Sequence, residues 1–582
     1  MGDGEAGGGG RPPGERPSQQ RASALPAAVA GGGRKRRRGG DSGATTSLGL
    51  GGRSGDAETP AGLGASSVAS ALAGGTRIDG SISSSLDKRS SSTCRPDDNS
   101  HCGNKITYSV PDIPEDIWRH IHFLLPMQDA ARAACVSHSF LCSWRCYPNL
   151  IFTEETMCSK ENLRKRTVGS NGIQDYNNNI HHVLTNHSGA GVRKFRLEYH
   201  VPYDAKSYHR LSSWLQIAVT PSIEELNLVV WPKETTFISQ KRKKKATFNF
   251  PITLLSDMCK GSIQHLHLAN VDLHPTFQLG LRTLKSLHLH GVNITGDELG
   301  CLLSNSFALA HLRLQYCHDL IRLEIPCLLQ RLRFLEVLEC SLQVLEINAP
   351  NISRSRLLDF NVKLSLGKSR KMKYLMLNNS CVISYAIDNL PSCAPKVETL
   401  TIHSSYEIIN APVASGRFCH LKILIFFFFG FHSHRDYDYL SLVSFFDASP
   451  LLEKFVLFVS PVQSKYDWFE GDPTSLRQMS EHRHRNLKSV KISSFCPQKS
   501  MVELARHILE NATSLECLTL DTTPASYRCS GDILDRQCPP LETECIRDAH
   551  KSLLAVRTYI DGKVPSTVKL NLIGPCTRCY AL

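Results

Sequence analysis

A chain of 582 residues, 41% of them hydrophobic, can bury a large core and is expected to form two or three units. Its formal net charge of +13 is held in Lys/Arg clusters instead of one helical stripe, which gives little support to a nucleic-acid surface. The 21 cysteines are scattered, the Gly-, Arg- and Pro-rich N-terminus lacks a secretory apolar stretch, and the longest apolar run, Ile423 to Phe431, falls far below the roughly 18–20 residues of a bilayer span, so reduced thiols in nucleus or cytoplasm and no membrane segment are expected.

Residues 1–105 are dominated by Gly, Ser, Ala, Arg and Pro. Such a segment cannot offset its ordering entropy by burial and is expected to be disordered. Within it, Arg34, Lys35, Arg36, Arg37 and Arg38 form a polybasic run among glycines, accessible to the acidic groove of a nuclear import receptor. Lys241 to Lys245 form a second run in an expected loop, and a solvated charge run is an equally open reading of both. The tail has no aromatic residues among its Lys and Arg, so stacking platforms for bases are missing.

Residues Ile113 to Trp144 have the spacing of three short amphipathic helices. Asp112 and Glu115 around Pro114 form a capping-box-like start, after which Ile117, Ile121 and Leu124 recur along one face. Pro126 prevents continuation, Asp129 offers a new N-cap, and Val136, Phe140 and Trp144 give a third helix an aromatic stripe before Pro148. So small a unit needs a covering partner. It resembles the F-box, through which substrate receptors of cullin-type ubiquitin ligases bind a Skp-family adaptor. Ile113-Pro114-Glu115 stands at the family's Leu-Pro-x-Glu, Leu124-Leu125-Pro126 at its Leu-Pro step, and Cys135-Val136-Ser137 at the start of its third helix. Phe140 departs from a frequent Trp, which comes one turn later as Trp144. The resemblance implies that Ile113, Pro114, Ile117, Leu125, Pro126, Val136, Phe140 and Trp144 face the adaptor, and through it a cullin. A plain helical hairpin packed on the rest of the chain is the alternative.

After an Asn- and His-rich link at about 160–191, the chain becomes repetitive. The unit L-x-x-L-x-L runs from Ile223-Glu-Glu-Leu226-Asn-Leu228 through Leu284-Lys-Ser-Leu287-His-Leu289 to Leu515-Glu-Cys-Leu518-Thr-Leu520. Several starts lie 21 to 25 residues apart (263 to 284, 284 to 309, 309 to 332, 397 to 421), the leucine-rich-repeat period. Cys317 completes the fullest copy and is read as structural, while the offset copies at Leu320 and Leu342 suggest a second strand per coil. The expected fold is therefore α/β: a short helical F-box at 108–150, an irregular leucine-rich-repeat solenoid at 190–525 with a parallel sheet on its concave face, and a C-terminal segment at 526–582. The last segment reads as a helix, a strand-like stretch and a turn. With the F-box and repeats, it resembles the F-box/leucine-rich-repeat proteins of grasses and other plants, in which an FBD-like piece ends the array.

Strand alternation places His267, His288 and Arg313 between the paired leucines, side by side on the face opposite the core. They are the candidate substrate-contacting patch, with a plain solvated concave surface as the alternative; no carboxylate or cysteine completes a metal set there. Cys576-Thr-Arg-Cys579 lacks a second C-x-x-C pair, with Cys529, Cys538 and Cys545 irregularly spaced upstream. No phosphate-cradling glycine loop, nucleophile elbow or H-E-x-x-H pattern occurs, so neither a catalytic residue nor a cofactor is expected. The expected function is that of a non-catalytic substrate receptor of a Skp–cullin–F-box ubiquitin ligase, holding a protein on its solenoid. A non-degradative leucine-rich-repeat scaffold and a nuclear nucleic-acid-associated protein are the alternatives.

Overall fold

The computed structural model describes residues 113–157, 170–201, 205–232, 247–257, 261–275, 281–358, 362–367, 371–378, 381–404, 410–411, 416–429, 437–459, 468–479, 482–523, 540–576 and 579. Both polybasic runs lie outside these residues.

Helices α1 (Glu115–Leu124), α2 (Met127–Ala134) and α3 (His138–Trp144) form the first unit. Prolines set their starts. Pro114 and Pro126 occupy the N-cap positions of α1 and α2, with φ of −51° and −57° and no side-chain cap. Asp129 is therefore not the cap expected of it; it sits inside α2 and pairs with Arg132 at 2.7 Å. Asp112 lies outside the described residues. Val136 falls in the turn before α3, whose N-cap is Ser137.

The strands that follow are β1 (Asn149–Phe152), β2 (Lys194–Val201), β3 (Glu225–Pro232), β4 (Phe248–Asn249), β5 (His265–Ala269), β6 (Val271–Asp272) and β7 (Ser286–His290). Next come β8 (His311–Gln315), β9 (Arg322–Ile325), β10 (Phe334–Leu338), β11 (Val344–Ile347), β12 (Arg354–Leu358), β13 (Lys363–Ser365) and β14 (Tyr374–Asn378). The array continues with β15 (Thr399–Ser404), β16 (Ile423–Phe428), β17 (Lys454–Val459), β18 (Ser489–Ser493), β19 (Cys517–Asp521) and β20 (Lys569–Ile573). Fifteen of them make one sheet in the order β1-β2-β3-β5-β7-β8-β10-β12-β14-β15-β16-β17-β18-β19-β20, every pair parallel. The order follows the chain because each coil buries its apolar side chains only against its neighbours. Leu266, Leu287, Leu312 and Leu335 stack in one register column and Leu268, Leu289, Leu314 and Val337 in the next, all buried. The offset copies become β9, β11 and β13, a second parallel sheet of three strands.

A recurring left-handed residue ends these strands: Asn270, Gly291, Tyr316, Glu339 and Ser494 have φ between 48° and 59°. The left-handed backbone is held by non-glycine residues at four of these five positions, and at Gly291 a Cβ would come within 2.6 Å of Asn270 Oδ1, so a larger residue there would have to displace that side chain. One residue later the chain turns inward. Cys317 and its equivalent Cys340 are buried at that point, and Cys317 Sγ donates to the carbonyl of Leu289 at 3.7 Å, the structural role expected of it.

The link at 160–191 contains a helix, Ser170–Asn186, whose Tyr176, Ile180 and Leu184 are buried at every fourth position. Its Asn- and His-rich outer face obscured that stripe. The sheet starts at Asn149, directly after α3, and ends in the C-terminal segment with β20, following the helix Thr543–Tyr559. Near that end Arg477 clamps three segments. Its guanidinium donates to Asp438 at 2.8 Å and to Glu503 at 2.6 Å, and the Glu503 side chain is fully buried. No helix among the described residues is long and apolar enough to cross a membrane.

Candidate functional site: an exposed helical stripe and the inner face of the sheet

The first surface is built around a buried aromatic nucleus. His122 is fully buried on α1, with Nε2 2.9 Å from the Ala130 carbonyl, and its ring stacks on Phe140 at 5.1 Å. Trp118 meets Phe140 edge-on at 6.0 Å, and Trp144 lies 5.4 Å from Tyr147. Tyr147 donates its hydroxyl hydrogen to Leu125 O at 2.6 Å. Phe140, Trp144 and Leu125 are thus engaged within the protein, each half-buried, as is Ile113. Pro114, Ile117, Pro126 and Val136 are exposed. The stripe of α1 faces solvent: Ile117, Ile121 and Leu124 are 44%, 38% and 72% exposed, and Val136 is 84% exposed. An amphipathic helix in a finished core turns such a stripe inward. Here α1 buries the other side, through His122.

This unit is joined to the sheet without a spacer. His187 Nε2 lies 3.0 Å from Tyr147 O, Ser188 N donates to Arg145 O at 2.8 Å, and Lys194 N donates to Pro148 O at 3.0 Å. Burial pushes the His187 imidazole below its ordinary pKa, so near neutral pH it acts as an uncharged brace.

The second surface is the solvent face of the large sheet. His267, His288 and Arg313 occupy one register row on β5, β7 and β8, the juxtaposition expected from the leucine alignment. The two imidazoles stack at 4.1 Å with planes 5° apart, and the Arg313 guanidinium lies 5.2 Å from the Phe334 ring centre. His288 Nε2 and His290 Nδ1 lie 3.3 and 3.1 Å from Gln315 Oε1. Burial, and then the neighbouring His288, His290, Arg196 and Arg313, push His267 down to about 3; burial likewise lowers His288.

Farther along, the same face changes character. His403, Phe427 and Phe458 are register partners on β15, β16 and β17. Phe427 stacks on Phe458 at 4.5 Å and on His403 at 4.5 Å, and Phe429 adds a ring 5.7 Å from Phe427. Phe426 and Phe428, one residue out of phase, are buried.

A family model described as "At1g61320/AtMIF1, LRR domain" matches residues 183–577. The chain belongs to that family. It is also similar to the "Putative F-box/LRR-repeat protein At5g02930" of Arabidopsis thaliana, at 23% identity over 256 residues, which is 43% of this chain. The match covers 47% of that relative, so the chain spans about half the length of the curated protein it resembles. With the three-helix unit preceding the repeats, this is a plant F-box/LRR protein.

Two parts of the F-box/LRR protein's surfaces escaped sequence reasoning. Ile121 and Leu124 were visible as members of the α1 stripe, yet the stripe's outward direction depends on His122 taking the buried side. The aromatic ladder was legible in the run Phe426-Phe427-Phe428-Phe429, since strand alternation sends every second ring to solvent. At the C-terminus Cys576 and Cys579 have sulfurs 3.6 Å apart. Cys529 and Cys538 lie outside the described residues, and among the described residues no group of three or more His, Cys, Asp or Glu is placed to hold a metal ion.

Proposed function

We propose that this F-box/LRR protein is the non-catalytic substrate-recognition subunit of a Skp–cullin–F-box ubiquitin ligase. The observation that carries the reading is the apolar stripe Ile117, Ile121, Leu124 and Val136, exposed on a helical unit whose own aromatic nucleus is already filled. Covering it requires a partner with a complementary apolar groove, and an F-box in this position would meet a Skp-family adaptor. Ile113, Pro114, Leu125 and Pro126 lie next to the stripe in the chain, while Phe140 packs on Trp118 and His122 of α1 and Trp144 on Tyr147. The solenoid would present a protein substrate on its solvent face, through His267, His288 and Arg313 at one end and the His403–Phe427–Phe458 ladder at the other. Catalysis would then be proximity: the complex raises the effective concentration of substrate lysines beside a charged conjugating enzyme.

The test is co-purification with a Skp-family adaptor of the parent chain and of Ile113→Asp with Pro114→Ala. The variant should lose the adaptor, because a carboxylate desolvated at an apolar interface costs several kcal/mol, while its melting transition stays in place. Undiminished recovery would overturn the docking assignment. The cluster Arg34 to Arg38 is proposed to direct the protein to the nucleus; changing all five residues to Ala should lower the nuclear share of a fluorescent fusion, and an unchanged distribution would reduce the run to a solvated tail.

A further inference from the structure

Three consecutive coils give the inner face an unusual charge balance. Its nine outward positions are His265, His267 and Ala269 on β5, Ser286, His288 and His290 on β7, and His311, Arg313 and Gln315 on β8. None carries a carboxylate. The carboxylates bordering this patch already have partners: Glu198 with Arg196 at 2.9 Å, Glu225 with Lys194 at 3.1 Å, and Glu336, the register neighbour of Arg313 on β10, with Arg356 at 2.9 Å and with Gln315 of the patch at 2.5 Å. Among the described residues neither the His267 nor the Arg313 side chain makes a hydrogen bond, so ring nitrogens and a guanidinium fork are available to an incoming acceptor.

We infer that the inner face of β5, β7 and β8 binds a carboxylate-rich segment of a protein partner. The inference rests on the proposal that this face holds the substrate and adds the chemistry of what it holds. Arg313 would supply the bidentate contact, since its planar fork matches a carboxylate, and His267 would supply an N–H donor in the same row, with the ring nitrogens of His288 and His290 that do not face Gln315 beside it. His267 and His288 also couple binding to protons. Burial first, and then charged neighbours that include His290 and Arg313, lower both imidazoles, while at His288 the Gln315 hydrogen bond and Glu336 oppose the shift. An anion laid across the row reverses that balance and favours the imidazolium forms, so binding takes up protons and tightens as pH falls.

The probe is a fluorescein-labelled octaglutamate peptide, titrated by anisotropy with the full chain at pH 7.5 and 6.0, where its carboxylates remain ionised. The parent should bind more tightly at pH 6.0, and His267→Ser with His288→Ser and Arg313→Ser should weaken binding by about tenfold or more and remove the pH dependence. A second variant, with Arg34 to Arg38 and Lys241 to Lys245 changed to Ala, should retain the pH-dependent component. Loss of that component in the polybasic variant, or equal binding by parent and triple variant, would overturn the inference. Binding of a phosphoserine peptide but not octaglutamate would replace the proposed ligand with a different one. Adaptor-dependent partner capture separates the two levels: unchanged capture by the triple variant sinks the substrate-face proposal itself, whereas lost capture without octaglutamate binding sinks only the acidic-segment inference.

Discussion

Truncating Leu124 and Val136 together to Ala should uncouple adaptor binding from folding. Leu124→Ala removes three carbons from a side chain 72% exposed, and Val136→Ala removes two from one 84% exposed. At about 0.8 kcal/mol per buried methylene, scaled by the fraction still available for covering, the two losses are roughly 1.7 and 1.3 kcal/mol. Their sum of roughly 3 kcal/mol corresponds to an adaptor Kd weakened by about two orders of magnitude. In the chain alone neither side chain is covered, so stability should shift by no more than about 0.5 kcal/mol per site. Isothermal titration against a purified Skp-family adaptor, beside a thermal melt of the same protein, measures both quantities. A Kd within threefold of the parent at an unchanged melt would refute the placement of the adaptor on this stripe. A large loss of stability would show that the residues are not exposed in solution.

Acid should destabilise the protein before carboxylates begin to titrate. Burial lowers His267 to about 3, and His403, His484 and His507 to about 4. Their folded pKa values lie below the unfolded value near 6.5, so the unfolded chain binds more protons, and stability present above pH 6.5 is lost as pH falls towards 4. Melting temperature measured across that range should decline steadily, and His484→Asn should flatten the decline; a flat parent profile would contradict the burial of these rings. Arg477→Met should cost about 3–5 kcal/mol by leaving the Glu503 carboxylate buried without its cation, with much of the loss recovered by adding Glu503→Gln. Urea unfolding of single and double variants tests this, and equal midpoints for parent and Arg477→Met would show that the clamp carries no stability.

The repeat period was legible wherever leucine held both interior columns, as at 263, 284, 309 and 332. It was hidden where one member changed. β12 reads Ile352-Ser-Arg-Ser355-Arg-Leu357, with a buried serine in the leucine column, so the interval from Leu332 to Met372 concealed a whole coil. β1 has only Leu150 and Phe152 to mark it, and β2 places Phe195 beside Leu197 behind an unrecognised helix. Parallel pairing to a neighbour, which no local pattern records, decided these cases. For the candidate surfaces, the row His267–His288–Arg313 followed from alignment alone because alternation fixes both face and register. The direction of the α1 stripe did not, since Ile117 and His122 compete for the inside and tertiary packing around Phe140 and Tyr147 selects the histidine.

Only Arg145, Cys146, Tyr147 and Pro148 separate α3 from β1, and all four bond to neighbouring backbone or side chains. The exposed stripe and the sheet consequently share one stiff body, in which strand number is a measure of length. Counting along the sheet, β7 is four strands from β1 and β16 is ten, or about 19 and 48 Å at about 4.8 Å per strand. A tethered receptor would let its cargo wander through a wide volume, whereas this one holds cargo at a reach set by the coil that grips it. Deleting or duplicating one coil between β8 and β14 would reset that reach for anything held by the aromatic ladder and leave it untouched for anything held by the histidine row.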